Sequence, residues 1–354
     1  MSERVSAEEL VRRVHSGEET RDLDASGVDL SGMDLSGAIL YEVKLDRARL
    51  VGTNLKEAML FGCSFEEADL SGANLHLSKA QGTSFANAKL NGAKLVAAQW
   101  IQMTLTNADV SGADLLMAGF LESDCSRMIL AGARTERFTL SECPVVEMDA
   151  SHVLLDRSVW LKLDLSTVRF EETRFDKVVF HECSLAGQDL SGRMLDYVSF
   201  IGCDLLGARF VGSRIFQCNF MRARANGAEF DGAQAQSALF IEAQLANCSF
   251  TNAVLPNALF NDATVTASDF TGADLRQSIW HRAACSGTTF ERTKLAEADL
   301  SHADLTMCNF TAADLYRTKL HCITEDRTLF GPNRAVALGT DEELARAENF
   351  EPQY

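Results

Sequence analysis

Leu, Phe or a comparable apolar residue falls on nearly every position divisible by five from Leu30 to Leu320, fifty-nine pentads without an insertion or deletion. Thr135 and the small Ala80, Ala150, Ala225 and Ala235 replace the apolar residue without shifting the frame. Two positions before these centres stands a small residue, as at Ala58, Ala68, Ala73, Ala88, Ala93, Ala108 and Ala113. Asp or Asn recurs one position before the centre, and Ser-Gly or another turn-tolerant pair follows it. A helix of 3.6 residues per turn cannot hold a stripe of period five on one side, and neither can a flat strand of period two. The chain must therefore turn a corner every five residues. Four such sides make a square coil of roughly twenty residues, with the centre and the small residue pointing inward. Gly near the corners eases the backbone there.

The repeats ending in Val28-Asp29-Leu30, Met33-Asp34-Leu35 and Ala73-Asn74-Leu75 carry the pattern Ala-Asp/Asn-Leu-x-x. In this the chain resembles the pentapeptide-repeat family. The resemblance implies an all-β fold, a right-handed quadrilateral β-helix (pentapeptide-repeat solenoid) over residues 21–325. At about 4.8 Å per coil, the strand spacing of a sheet, such a rod would be roughly 70 Å long.

In a square coil, residues twenty apart stack, and the core composition sorts accordingly. The side through Leu40 runs through Trp100, Phe120, Trp160, Phe180, Phe200, Phe220, Phe240, Phe260 and Trp280, taking all three tryptophans of the chain. The opposite side, through Leu50, carries Phe170, Phe210, Phe230, Phe250, Phe270, Phe290 and Phe310. Opposed aromatics with smaller neighbours fill a narrow interior at close-packed density. Of the ten cysteines, Cys63, Cys143, Cys183, Cys203, Cys218, Cys248 and Cys308 take the small inward position, and Cys125 and Cys285 take centres. Only Cys322 falls outside. They read as small buried hydrophobes and free thiols, although Cys183 and Cys203 stack on adjacent coils.

A solenoid exposes its core at both ends and needs caps. Within residues 1–20, Ser6 and Glu9 frame a capping box that predicts a short helix to about His15, closed by Gly17. In residues 326–354, a connector with Gly331, Pro332 and Asn333 precedes a second short helix, opened around Thr340 to Glu343 and running toward Asn349. The stretch Leu121 to Trp160, with Thr135, Ala150 and Pro144, is the least regular, and reads as a distorted part of one array.

Nothing in the pattern asks for chemistry. The seven histidines (His15, His76, His152, His181, His281, His302 and His321) are scattered, and no two show metal-ligand spacing in a coil of this geometry. Nucleophile elbow, phosphate loop and Walker motif are all missing from the sequence. Ser and Asp sit at the solvated corners. The chain reads as no enzyme, with neither cofactor nor metal. A formal charge of −17 argues against direct nucleic-acid binding. The apolar runs are too short to insert in a membrane, and no signal peptide is visible, so a cytoplasmic protein is the default.

The outward positions are more telling. Beside most centres stand Ser, Thr, Asp, Lys and Arg. On the Leu40 side stand instead Ile39, Tyr41, Met59, Phe61, Ile101, Leu121, Val159, Leu161, Val179, Ile201, Met221, Leu239, Ile241, Leu259 and Ile279. So much apolar surface predicts a face that binds a protein partner, or joins two copies as a homodimer. The plainer alternative is β-propensity, or cover by the terminal segments. On the Leu50 side the residue before each centre alternates in sign: Asp29, Arg49, Asp69, Lys89 and Asp109, then Asp149, Arg169, Asp189, Arg209 and Glu229. That predicts a cross-strand charge ladder with a structural role.

The function expected is a non-enzymatic protein–protein interaction scaffold or adaptor. The closing stretch Asp341 to Glu348 is similar to pentapeptide-repeat proteins associated with bacterial type VI secretion, which implies an accessory or effector-loading role. The alternative implied by the family is a DNA-mimicking modulator or protector of DNA gyrase. Mixed outward charge, with Arg134, Arg174 and Arg214 beside Asp156, Asp176 and Asp196, counts against that mimicry.

Overall fold

The computed structural model describes residues 2–18 and 20–350, so the last four residues of the C-terminal segment lie outside it. Its contacts sort into two compact units, residues 1–179 and 180–354. In each unit the chain winds as a parallel β-helix in which residue i pairs with residue i+20, as Leu40 with Leu60 in the first and Leu239 with Leu259 in the second. The centre's N–H donates forward to the carbonyl nineteen residues on (Leu50 to Asp69, 2.7 Å), while the preceding N–H donates back (Asp69 to Ala48, 3.0 Å). Each side of the coil thus meets both neighbouring coils through backbone hydrogen bonds.

Every centre from Leu30 to Leu320 is buried, including the irregular Thr135 and Ala150. Thr135 keeps its place because its hydroxyl donates to the Leu154 carbonyl at 2.7 Å. The small inward position is also buried, save for half-buried Val28, Met33, Gln188 and Arg193. Before the centre, the Asp carboxylate accepts the N–H two residues on, as Asp29 from Ser31 at 2.9 Å and Asp34 from Ser36 at 3.0 Å. The recurrent acid is therefore a turn residue that satisfies a corner amide.

Two residues after every centre but Leu165 the backbone is left-handed. Glycine was the anticipated occupant, but Glu57 (φ 59°), Ala97 (φ 54°) and Tyr197 (φ 63°) adopt it too. The requirement shows as an exclusion: from residue 22 to 327, Thr167 is the one β-branched occupant of this position. A branched Cβ crowds the carbonyl in that conformation.

On most sides the turn closes with an N–H to the centre's own carbonyl, as Ala48 to Leu45 at 3.1 Å. The Leu40 side of the first unit behaves differently. Its residues form three-residue strands, among them Ile39–Tyr41, Met59–Phe61 and Gln99–Ile101. There the Cys63 N–H donates to Thr83 Oγ1 (3.2 Å) and the Met103 N–H to Ser123 Oγ (3.0 Å). Hydroxyls of the next coil replace the turn carbonyl, which lets the strand extend.

The aromatic ladders exist as rings. In the second unit Phe200, Phe220, Phe240, Phe260 and Trp280 stack at 5.1, 4.9, 4.8 and 3.9 Å between centroids. Phe210, Phe230, Phe250, Phe270 and Phe290 stack at 5.0, 4.6, 4.5 and 5.4 Å. The two columns meet edge to face, as Phe230 and Phe240 do at 5.8 Å and 87°. Both preferred aromatic geometries are used, offset stacking along the coil axis and T-shaped contact across it. The first unit stacks Phe65, Phe85, Trp100 and Phe120 at 4.7, 4.8 and 5.1 Å, so its column passes between sides.

At the N-terminus a strand at Glu3–Arg4 pairs with Leu23–Asp24, and helix α1 (Ala7–Ser16) buries Ala7 and Leu10. Ser6 accepts the Glu9 N–H, and Gly17 closes the helix with φ 70°. The opposite end departs from expectation. Coil pairing continues into the segment read as a connector, through Asn309 with Leu329 and Lys319 with Leu338, and Phe330 stacks on Phe310 at 5.0 Å. Phe330 lies on the same five-residue frame, which is why the coil accepts it. Helix α2 (Glu342–Glu348) is capped by Asp341, and none of its side chains is buried. Thr340 is not the cap because its hydroxyl accepts the Cys322 N–H at 3.2 Å.

Two substitutions test these constraints. Phe240→Ala removes a ring with neighbours above, below and across, and should cost about 3–5 kcal/mol in denaturant unfolding. Ala97→Val should destabilise by more than about 1 kcal/mol while Ala97→Gly does not, since only the first adds a branch to a left-handed corner. Equal effects would show that this corner is not strained.

Candidate protein-interaction face

The outward apolar residues form one patch in each unit. In the first, Ile39, Met59, Ile101 and Leu121 are exposed, and Tyr41, Phe61, Val159, Leu161 and Val179 are half-buried. Tyr41 and Phe61 stack at 5.0 Å, with the Arg21 guanidinium 4.7 Å over the Tyr41 ring. Ile39 pairs with Met59 beside them. A shallow cavity of about 330 Å³ opens where Ile39 and Tyr41 meet Val14 and Gly17 of the N-terminal cap. Polar residues interrupt the patch: Lys79, Gln81 and Gln99, then Thr139 and Ser141.

In the second unit Ile201, Met221, Leu239, Ile241, Leu259 and Ile279 are half-buried rather than exposed. Leu239, Leu259 and Ile279 pair in succession, so each lies in register against the next coil at strand spacing. Coil stacking covers half of each side chain. What faces outward is a run of three branched side chains, Leu239, Leu259 and Ile279, beside Ile201, Met221 and Ile241. All fifteen predicted residues therefore reach the surface, four of the first unit exposed and the other eleven half-buried.

The charged side of the sequence becomes ion pairs between coils. Arg49 meets Asp29 at 3.4 Å and Arg169 meets Asp149 at 2.7 Å in the first unit. Arg209 bridges Asp189 (3.4 Å) and Glu229 (2.9 Å) in the second. Left-handed corners of neighbouring coils also pair, Arg47 with Glu67 in the first unit and Arg222 with Glu242 and Arg282 with Asp262 in the second. These pairs are exposed, and each adds little stability while neutralising local charge.

The cysteines are more than filler. Their thiols donate to a centre's carbonyl twenty-three residues back, Cys218 to Leu195 at 2.8 Å and Cys308 to Cys285 at 3.0 Å. Ser158, Ser268 and Thr288 make the same bond with their hydroxyls. The inward slot is thus one for a small donor, which Cys, Ser and Thr share. Burial pushes the Cys63 thiol up to about 11, and those of Cys248 and Cys308 up to about 12. None of the ten cysteines forms a disulfide, and only Cys322 is less than fully buried.

The histidines require a correction. His302 and His321, nineteen residues apart, lie at one corner of adjacent coils with ring centroids 5.2 Å apart. Glu348 of α2 joins them, its Oε2 3.0 Å from His321 Nε2 and 3.4 Å from His302 Nε2. Linear spacing concealed this, because one turn less one residue looks like no motif, and because Glu348 arrives from the non-repeating tail. The three groups line a cavity of about 550 Å³ with His281, Asp299 and Lys319. Burial opposes ionisation of Asp299, yet hydrogen bonds from Ser301 and Lys319 prevail and hold its carboxyl well below the usual range.

No helix among the described residues is long and apolar enough to cross a membrane. The family model for pentapeptide repeats matches in eight copies, within residues 21–50, 38–76, 83–115, 238–277 and 283–321. Among solved structures the chain is similar to HetL, a pentapeptide repeat protein involved in heterocyst differentiation regulation from the cyanobacterium Nostoc sp. strain PCC 7120. The identity is 18% over 89% of this chain and 96% of that one, with a TM-score of 0.20. It is also similar to QnrB1, a plasmid-mediated fluoroquinolone resistance protein, at 17% identity over 56% and 97% of the two chains, TM-score 0.29. No curated protein matches the sequence.

Two measurements follow from these environments. At neutral pH a small alkylating reagent should label one thiol per native chain, Cys322, and all ten after denaturation; rapid native labelling of several would contradict the inward slot. Asp24, Asp29 and Asp34 have carboxyls lowered first by hydrogen bonds from the serine two residues on. Their folded pKa values lie below the unfolded value near about 4, so this stabilisation is complete above that pH and fades as pH falls through the folded values. Replacing all three by Asn should flatten the acid limb of a stability–pH curve; an unchanged limb would remove them as its source.

Proposed function

We propose that this pentapeptide-repeat chain is a non-enzymatic scaffold that holds another protein against its outward apolar residues. The observation that carries the reading is the in-register apolar surface, Ile39 with Met59 and Tyr41 with Phe61 in the first unit, Leu239, Leu259 and Ile279 in the second. Coil stacking covers part of such residues, and a protein partner would remove their remaining surface from water at about 25 cal/mol per Å². The interior is filled by side chains, so recognition falls to surfaces. The same surface would serve a second copy of the chain. The setting proposed is a bacterial cytoplasm.

Within this class, the tail Asp341 to Glu348 supports an accessory or effector-loading part in type VI secretion. DNA mimicry by a gyrase modulator draws support from the charge of −17. It asks for uninterrupted anionic rows, and here Arg49, Arg169 and Arg209 sit within the rows and pair with their neighbours.

The test is a paired capture and mass measurement in solution. Ile201→Glu with Ile241→Glu, and separately Met59→Glu with Phe61→Glu, leave the centres untouched and should keep the melting temperature within a few degrees. Wild type should retain a partner or self-associate, and at least one variant should lose that association. Identical partners and identical mass for all three proteins would sink the scaffold reading. Inhibition of gyrase supercoiling by the wild type would favour the mimic instead.

A further inference from the structure

The corner formed by His302, His321 and Glu348 is unused by a scaffold that works through its apolar side. Its donor atoms lie within 4.8 Å of one another, and the two imidazole nitrogens stand 3.0 and 3.4 Å from the same carboxylate oxygen. Ligands held at about 2.0–2.1 Å around a tetrahedral ion lie roughly 3.3 Å apart, so these spacings need little adjustment to enclose one. Two imidazoles and a carboxylate suit a borderline cation, and they leave one position of a tetrahedron open. We propose that His302, His321 and Glu348 bind a divalent transition-metal ion, zinc foremost, with the remaining position facing the cavity.

The surroundings fit a cation. Both neighbouring bases are already paired, Lys319 with Asp299 at 2.9 Å and Arg282 with Asp262 at 2.7 Å. Asp299 adds further negative charge, and His281 Nε2 rests 3.2 Å from it. The Asp341 N–H donates to His321 Nδ1 at 3.1 Å. In the metal-free chain that bond places the imidazole proton on Nε2, where it is donated to Glu348. Binding moves this proton to Nδ1 and frees Nε2 as a ligand. The Asp341 N–H, 3.1 Å from Nδ1, would then face a second donor, so binding costs that hydrogen bond and a shift of the helix cap away from the ring. In the metal-free chain Nε2–H holds the place the ion would take.

An ion there would also fix the tail. Helix α2 buries no side chain of its own and is held to the coil through His321, by Glu348 at one end and the Asp341 N–H at the other. Metal binding should therefore protect Arg346, inside α2, from trypsin.

The experiment is calorimetric titration of the full chain with zinc chloride, paired with timed trypsin digestion. One ion per chain should bind, and cleavage after Arg346 should slow at least about tenfold in its presence. Glu348→Gln, on an exposed helix, should leave the metal-free melting curve unchanged yet weaken binding about tenfold or more, as should His302→Ala. Cys322→Ser, whose thiol lies 3.4 Å from His321 Nε2, should retain full stoichiometry. Failure of the wild type to bind one ion per chain, wild-type affinity in Glu348→Gln and His302→Ala, or loss of binding in Cys322→Ser would each overturn the assignment.

Discussion

Everything in this molecule depends on like stacking on like at the spacing of a hydrogen-bonded strand. Residue i lies over residue i+20, and the backbone donates alternately to the coil ahead and the coil behind. Once that spacing is imposed, the side chains have little choice. Flat rings stack on flat rings, carboxylates find guanidinium groups, and apolar surface residues shield one another. The ladder between coils recurs from level to level, and where the Leu40 side of the first unit departs from it, hydroxyls of the next coil take the turn amides.

The fold was legible because its information is periodic. A large residue on one phase of the frame and a small one two before it suffice to say which atoms face inward, and Trp100, Trp160 and Trp280 are fully buried as that phase requires. The cysteines were also placed correctly, although their shared role with Ser and Thr as donors to a carbonyl shows only in three dimensions. The corner residue was half-read. Glycine marks it in the sequence, yet what the backbone demands is freedom from β-branching, and Glu, Arg and Asn meet that demand.

What escaped the sequence lies where the repeat meets something that does not repeat. His302 and His321 belong to the frame, but the position of Glu348 depends on how the tail folds back, which no period encodes. The extension of the coil to Phe330 and Leu338 was hidden for the opposite reason, since Gly331 and Pro332 look like an ending when the frame has not quite finished. The outward apolar residues were found by position, but their half-burial in the second unit comes from contact between coils and could not be read from residue types.

The pairing of each residue with the one twenty further on also has a bearing on how such a chain can change over generations. A duplication or loss of one whole turn inside a unit rejoins equivalent atoms, leaving ladder, corners and core phase as they were. A change that is not a multiple of the five-residue repeat puts charged residues where rings belong, and a change of less than a turn that keeps the repeat moves every ladder to another side. Gene slippage is therefore filtered by arithmetic before it is filtered by function, and size is free to drift in steps of one turn while the cross-section stays fixed.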